Sequence, residues 1–173
     1  MIGRNIRYKS TEVMLRLYKS MVRPHVEYCT AAWSPHYIKD KQLIEKIQRR
    51  FLKMIPGFKD LRYERGLKIL RLNTLEERRN RADLIFLFKM YKGLSRPPFE
   101  SLFQLTNQDK TRGHSLKLSR HCTNRDVRLH FFSERVINNW NQLEQTIVEA
   151  GCVDTFKRRL HMYRNDKMDL LLD

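Results

Sequence analysis

The segment from Thr74 to Gly93, TLEERRNRADLIFLFKMYKG, constrains the fold more than any other part of the chain. A threonine with a glutamate three residues on, at Glu77, is a capping-box pattern that starts a helix. Gly93 supplies the residue type on which helices commonly end. Between these signals the first half is charged and the second half, LIFLFKMY, is apolar on nearly every side. Five consecutive apolar residues also suit a strand, but the cap and the length decide for a buried helix ending at about Lys92.

Other segments repeat the helical spacing. Ser10 is a good N-cap for a stripe of Val13, Met14, Leu17, Met21 and Val22, which Pro24 interrupts. A short helix from Pro24 through Tyr28 towards Trp33 follows, ended by Ser34-Pro35. From about Lys39 to Ile55, apolar residues at 43, 44, 47, 51, 54 and 55 mark one face, and Pro56-Gly57 stops the helix. A shorter piece runs from Tyr63 to Leu70. Residues 104–128 are polar and basic, and Leu116 and Leu118 alternate as in a strand, so a long loop or small strand pair is expected. Leu129, Phe132, Val136, Trp140 and Leu143 then mark one helical face. Asp154 can cap a last helix, with Phe156, Leu160 and Tyr163 facing inward and Lys157, Arg158, Arg159 and Arg164 outward. Trp33 and Trp140 are assigned to core. The fold class expected is mainly α: a helical region over 1–95, a basic loop or extended linker over 96–128, and a C-terminal helical region over 129–173.

The charge balance indicates the partner class. Against 19 Asp+Glu stand 35 Lys+Arg, a net charge of +16, and such an excess attracts polyanions, nucleic acid foremost. No apolar run approaches the roughly 18 residues that span a bilayer. The start, MIGRNIRYKS, lacks the apolar region of a signal peptide, so the expected location is intracellular, the nucleus before the cytoplasm. Cys29, Cys122 and Cys152 form no C-x-x-C pair, and His114, His121 and His130 with Cys122 match no usual metal spacing. No metal or cofactor is expected. Phosphate-binding glycine loops, a nucleophile elbow, an H-E-x-x-H pair and adjacent aspartates are all missing, and the chain alone is not expected to be an enzyme.

Basic residues cluster where phosphates would be met. Lys46, Arg49, Arg50 and Lys53 repeat at i, i+3, i+4, i+7 on the helix that ends near Ile55. Like charges at that spacing repel, so the stripe brings the helix no stability of its own. A second set, Lys110, Arg112, Lys117 and Arg120 with Arg125, surrounds the turn Arg112-Gly113-His114, where glycine permits close backbone approach and His114 is a candidate phosphate contact. Arg78/Arg79/Arg81 and Lys157/Arg158/Arg159 are further clusters. Each alone also reads as a solvated face. Tyr37, Phe58 and Tyr63 are open between base stacking and core.

The stretches LYKSMVRPHVEYCTAAWSPHY, IEKIQRRFLKMIPGFKDLRYERGLKILRLNTLEERRNRADLIFLFKMYKG, TRGHSLKL and FFSERVINNWNQL, from about Gly3 to Tyr163, resemble the carboxyl-terminal part of reverse transcriptases from jockey-like, LINE-type (non-LTR) retrotransposons. The resemblance implies a helical thumb and the segment after it, which grip template RNA and nascent DNA. It also implies that the partner palm domain, with its Asp-Asp turn, lies upstream of Met1. On that basis the chain is a non-catalytic fragment of an RNA-directed DNA polymerase that binds RNA and DNA backbones and has no membrane partner. The alternative is a domesticated, free-standing nucleic-acid-binding or protein-interaction module.

Overall fold

The computed structural model describes residues 6, 8–106, 113–120 and 125–169, with side chains to Tyr163. The protein is mainly α-helical, 63% helix and 1% strand with no sheet among the described residues. It divides into two compact units, Met1–Arg79 and Asn80–Asp173.

Among the described residues the first helix of unit 1 is α1 (Thr11–Leu17), capped by the Ser10 side chain, which accepts from Val13 N. Proline at 24 cannot donate to the Ser20 carbonyl and would clash with it. The helix responds by widening into a π turn over Tyr18–Val22, in which Arg23 N–H reaches Tyr18 O, and continues as α2 (Arg23–Glu27). Pro24 therefore widens the helix where the sequence predicts a break. Cys29 adopts a left-handed conformation and turns the chain into α3 (Thr30–Trp33). Then come α4 (Ile38–Leu52), α5 (Tyr63–Leu70) and the start of α6 (Leu75–Tyr91). Met14, Tyr18, Phe51, Leu52, Ile55, Leu67 and Leu70 form the core, with the Tyr18 and Phe51 rings stacked at 4.6 Å. A Cβ on Gly66 would meet Leu52 Cδ2 at 2.8 Å, so glycine is what lets α5 pack this closely.

The expected boundaries of α6 hold. Thr74 Oγ1 accepts from Glu77 N, and at the far end Gly93 (φ 69°) closes a Schellman motif, with Leu94 N donating to Lys89 O and Gly93 N to Met90 O. The division between units falls inside this helix, at Arg79, and not near residue 95.

Unit 2 comprises the rest of α6, a 3₁₀ turn (Phe99–Ser101), α7 (Asp126–Leu129), α8 (Phe132–Asn141), α9 (Gln145–Val148) and α10 (Val153–Asp169). Its core is aromatic: Phe88 stacks on Phe156 at 4.2 Å, and Trp140 lies beside Phe156. Phe156 and Leu160 face inward as expected. Leu129 does not, because α7 ends with it and α8 starts a new face at Phe132.

Within the segment expected as a linker, Phe99, Leu102, Phe103, Leu116 and Leu118 instead belong to this core. Leu118 is buried and pairs with Leu105 in one antiparallel bridge, while Trp140 Nε1 donates to Leu116 O. Asn141 acts as a surrogate strand, its Oδ1 accepting from Leu118 N and its Nδ2 donating to Leu118 O. Asp83 and Arg135 form a two-toothed ion pair at 2.9 and 3.1 Å.

Candidate nucleic-acid interface

The candidate interface lies on α4, which follows Tyr37 in extended conformation and ends at Leu52. Apolar spacing predicts burial of Leu43, Ile44, Ile47 and Phe51. Phe51 is buried as expected, but the residues buried with it are Glu45, Gln48 and Leu52, and Leu43 and Ile47 are 49% and 41% exposed. The helix is rotated from the expected register because two polar side chains find partners inside. Gln48 accepts from the Tyr18 hydroxyl and donates to Tyr63 Oη at 2.9 Å and Asn73 O at 3.1 Å. Glu45 accepts from the Tyr63 hydroxyl and, at 3.0 Å, from Leu75 N at the start of α6, where a carboxylate also complements the helix dipole. Burial, and then for Tyr63 the bond to Glu45, push both phenols well above their ordinary pKa, so both remain donors. Isolated Glu and Gln carry little periodic signal, and the network was not legible in the sequence.

This inward turn of Glu45 shapes the outer face. At about 100° per residue, Lys39, Lys46, Arg49, Arg50 and Lys53 share an arc of roughly 100° opposite the buried face, over about 21 Å of helix. All five are exposed. Unit 1 holds 19 of the 35 Lys+Arg but only 8 of the 19 Asp+Glu. Several of those acids are engaged elsewhere: Glu12 with Arg16, Glu27 with Arg78 and Arg23, and Glu76 with Lys41. Among the described residues Lys39, Lys46, Arg50 and Lys53 make no ion pair. Arg49 is held at the border of the stripe, its guanidinium 4.6 Å from the Tyr63 ring centroid. Beside it a cleft of about 350 Å³ is lined by Lys41, Glu45, Arg49, Tyr63 and Glu76. With Glu64 in the lining as well, its three carboxylates outnumber its two cations, so it has no net pull on an anion.

The second expected set belongs to unit 2. Lys110 and Arg112 lie outside the described residues, as do His121 and Cys122 of the candidate metal group. Arg120 is exposed. The Lys117 side chain folds over Gly113 (φ 119°), close enough that a Cβ there would meet Lys117 Cε at 2.8 Å. His114 is corrected: only 3% exposed, it places Nε2 2.9 Å from Trp140 O and sits edge-on to the indole. Burial lowers its pKa below the ordinary value, and a neutral buried ring is no phosphate contact. The Arg78/Arg79/Arg81 cluster is structural as well, since Arg79 is buried, Arg78 grips Glu27 and Arg81 donates to Lys157 O. Trp33, assigned to core by sequence, is 40% exposed, whereas Trp140 is buried as expected.

Comparison with known proteins returned no match to a family model, a curated protein or a solved structure. No helix among the described residues is long and apolar enough to cross a membrane.

Proposed function

We propose that the protein binds the phosphate backbone of RNA or DNA without an active site of its own, as the thumb and following segment of a LINE-type reverse transcriptase. The stripe on α4 carries this reading: its cations share one solvent-facing arc, and the one glutamate of that helix is turned away from them. Supporting it are the excess of basic residues in unit 1 and the resemblance of the stretches quoted above.

Each phosphate contact releases about 0.9 counterion from duplex DNA and about 0.7 from a single strand. Replacing Lys46, Arg50 and Lys53 by Gln is expected to weaken binding to an RNA–DNA hybrid and to flatten the log-log salt slope by about two to three units. An unchanged slope in the folded variant removes the stripe from the interface. Mg²⁺-dependent primer extension by the purified chain, lost on changing one of its own aspartates, would overturn the non-catalytic half of the proposal.

A further inference from the structure

Three exposed rings, Tyr28, Trp33 and Tyr37, come just before the cation stripe in the chain. Trp33 closes α3, and its Nε1 donates to Tyr28 O at 2.6 Å, which ties the indole to the turn that Tyr28 opens. Tyr28 is itself exposed. Tyr37, the residue before α4, is exposed too, and Lys39 follows two residues later. Trp33 and Tyr37 are four residues apart, a span of about 14 Å at most.

The other described rings near this end of unit 1 have internal work. Tyr18 and Phe51 are buried against each other, and Tyr63 is bonded to Glu45 and Gln48. Tyr28 and Trp33 are instead exposed, and Tyr37, whose ring packs on that of His36 at 3.7 Å between centroids, is exposed on the rest of its surface just before the first cation of the stripe. A duplex hides its bases in its own stack and needs only the cations. Unpaired bases need both, since single-strand sites combine a basic track with aromatic faces on which successive bases lie.

We propose that Tyr28, Trp33 and Tyr37 form a stacking platform for unpaired bases, so that the site takes single-stranded RNA or DNA whose phosphates run onto Lys39, Lys46 and Arg50. This rests on the nucleic-acid reading above and adds the state of the strand. Ile38, Leu43 and Ile47 are the exposed large apolar residues of α4, a small apolar contribution beside that stripe, which favours a polyanion with stackable faces over a lipid surface.

The two tryptophans make the test direct, because Trp33 is exposed and Trp140 is buried. With the full chain, oligothymidylate is expected to quench tryptophan emission and a blunt duplex of equal length to quench it far less. Trp33→Phe is expected to lose the quenching while the Trp140 signal persists. Trp33→Ala is expected to lower single-strand affinity by about 5- to 150-fold, the range measured for one base–aromatic stack, with the salt slope unchanged. Wild-type affinity in a folded Trp33→Ala variant, or no quenching of the wild type by bound oligothymidylate, overturns the platform. An unchanged salt slope in the folded Lys46/Arg50/Lys53 variant instead removes the stripe from the interface, and with it the observation that carries the nucleic-acid reading. Preference for phosphatidylserine vesicles over oligothymidylate overturns both. If Trp33→Ala does not fold, Tyr37→Ser at its exposed position and the Trp33→Phe quenching decide the matter.

Discussion

In unit 1 the helices close around Gln48 and Glu45, each bonded to a tyrosine hydroxyl and to backbone of the α5–α6 turn, whereas unit 2 closes around stacked Phe88 and Phe156 and the indole of Trp140. The dry core follows apolar periodicity along α8 and α10, where Val136, Ile137, Trp140, Phe156 and Leu160 are all buried. The polar core does not: it draws two hydrophilic residues inward and leaves Leu43 and Ile47 outside. The difference has a functional consequence in unit 1. A glutamate turned inward to Tyr63 and Leu75 N makes no ion pair with Lys46 or Arg50 on its own helix, so satisfying the core and charging the surface are one structural choice.

That contrast can be broken most forcefully from the dry side. Phe156→Ala removes a ring packed between Phe88 and Trp140, and unit 2 is expected to lose about 3–5 kcal/mol, read as a lower denaturant midpoint. A loss under about 1 kcal/mol would mean that the stacked rings are not the centre of that core.

The polar side comes next. Gln48→Leu leaves the Tyr18 hydroxyl and Asn73 O without their partner, and a loss of about 2–3 kcal/mol is expected in urea unfolding. Adding Tyr18→Phe should recover part of it, because removing both partners of a buried bond costs less than removing one. A neutral or stabilising Gln48→Leu would show that the network does not hold unit 1 together.

A smaller effect separates the units by pH. The His114 pKa is lowered by burial in the folded state, so as pH falls below the ordinary value near 6.5 the unfolded chain takes a proton that the folded chain refuses. Its contribution is fully present above about 6.5 and lost as pH falls towards the folded value, at up to about 1.4 kcal/mol per pH unit. Thermal melts of the wild type and His114→Gln between neutral and mildly acidic pH should show a shallower pH dependence in the variant. Parallel curves would assign the acid sensitivity elsewhere.

The smallest change in stability is expected from the stripe. Lys46, Arg50 and Lys53 changed together to Gln should shift stability by no more than about 0.5 kcal/mol, because the residues are solvated and Gln keeps similar helix propensity. Arg49 is spared because its guanidinium lies over Tyr63. A marked drop in melting temperature would reveal a structural role for these cations.

Much of the helical frame was legible because its signals are local. Ser10, Thr74 and Gly93 act within a turn of their own positions, and α4 ends before Pro56-Gly57, though at Leu52, three residues short of the expected Ile55. The basic stripe was legible for the same reason, since i, i+3, i+4 spacing fixes a shared face whatever packs opposite. Trp33 and His114 were not: the first finds its bond five residues back and stays in water, while the second is buried by Trp140, 26 residues away in sequence.

By itself the sequence determined a mainly helical chain, the places where several of its helices start and stop, and a surplus of cations on one arc of α4, all consequences of short-range geometry and composition. The tertiary structure decided which way α4 turns, that residues 113–120 join a core, and which basic clusters remain without counter-charge. Those outcomes depend on partners distant in sequence, such as Tyr18, Tyr63 and Leu75 around Glu45 and Gln48, or Asn141 beside Leu118. A buried polar group goes where its hydrogen bonds can be met, and only the folded chain brings those groups together.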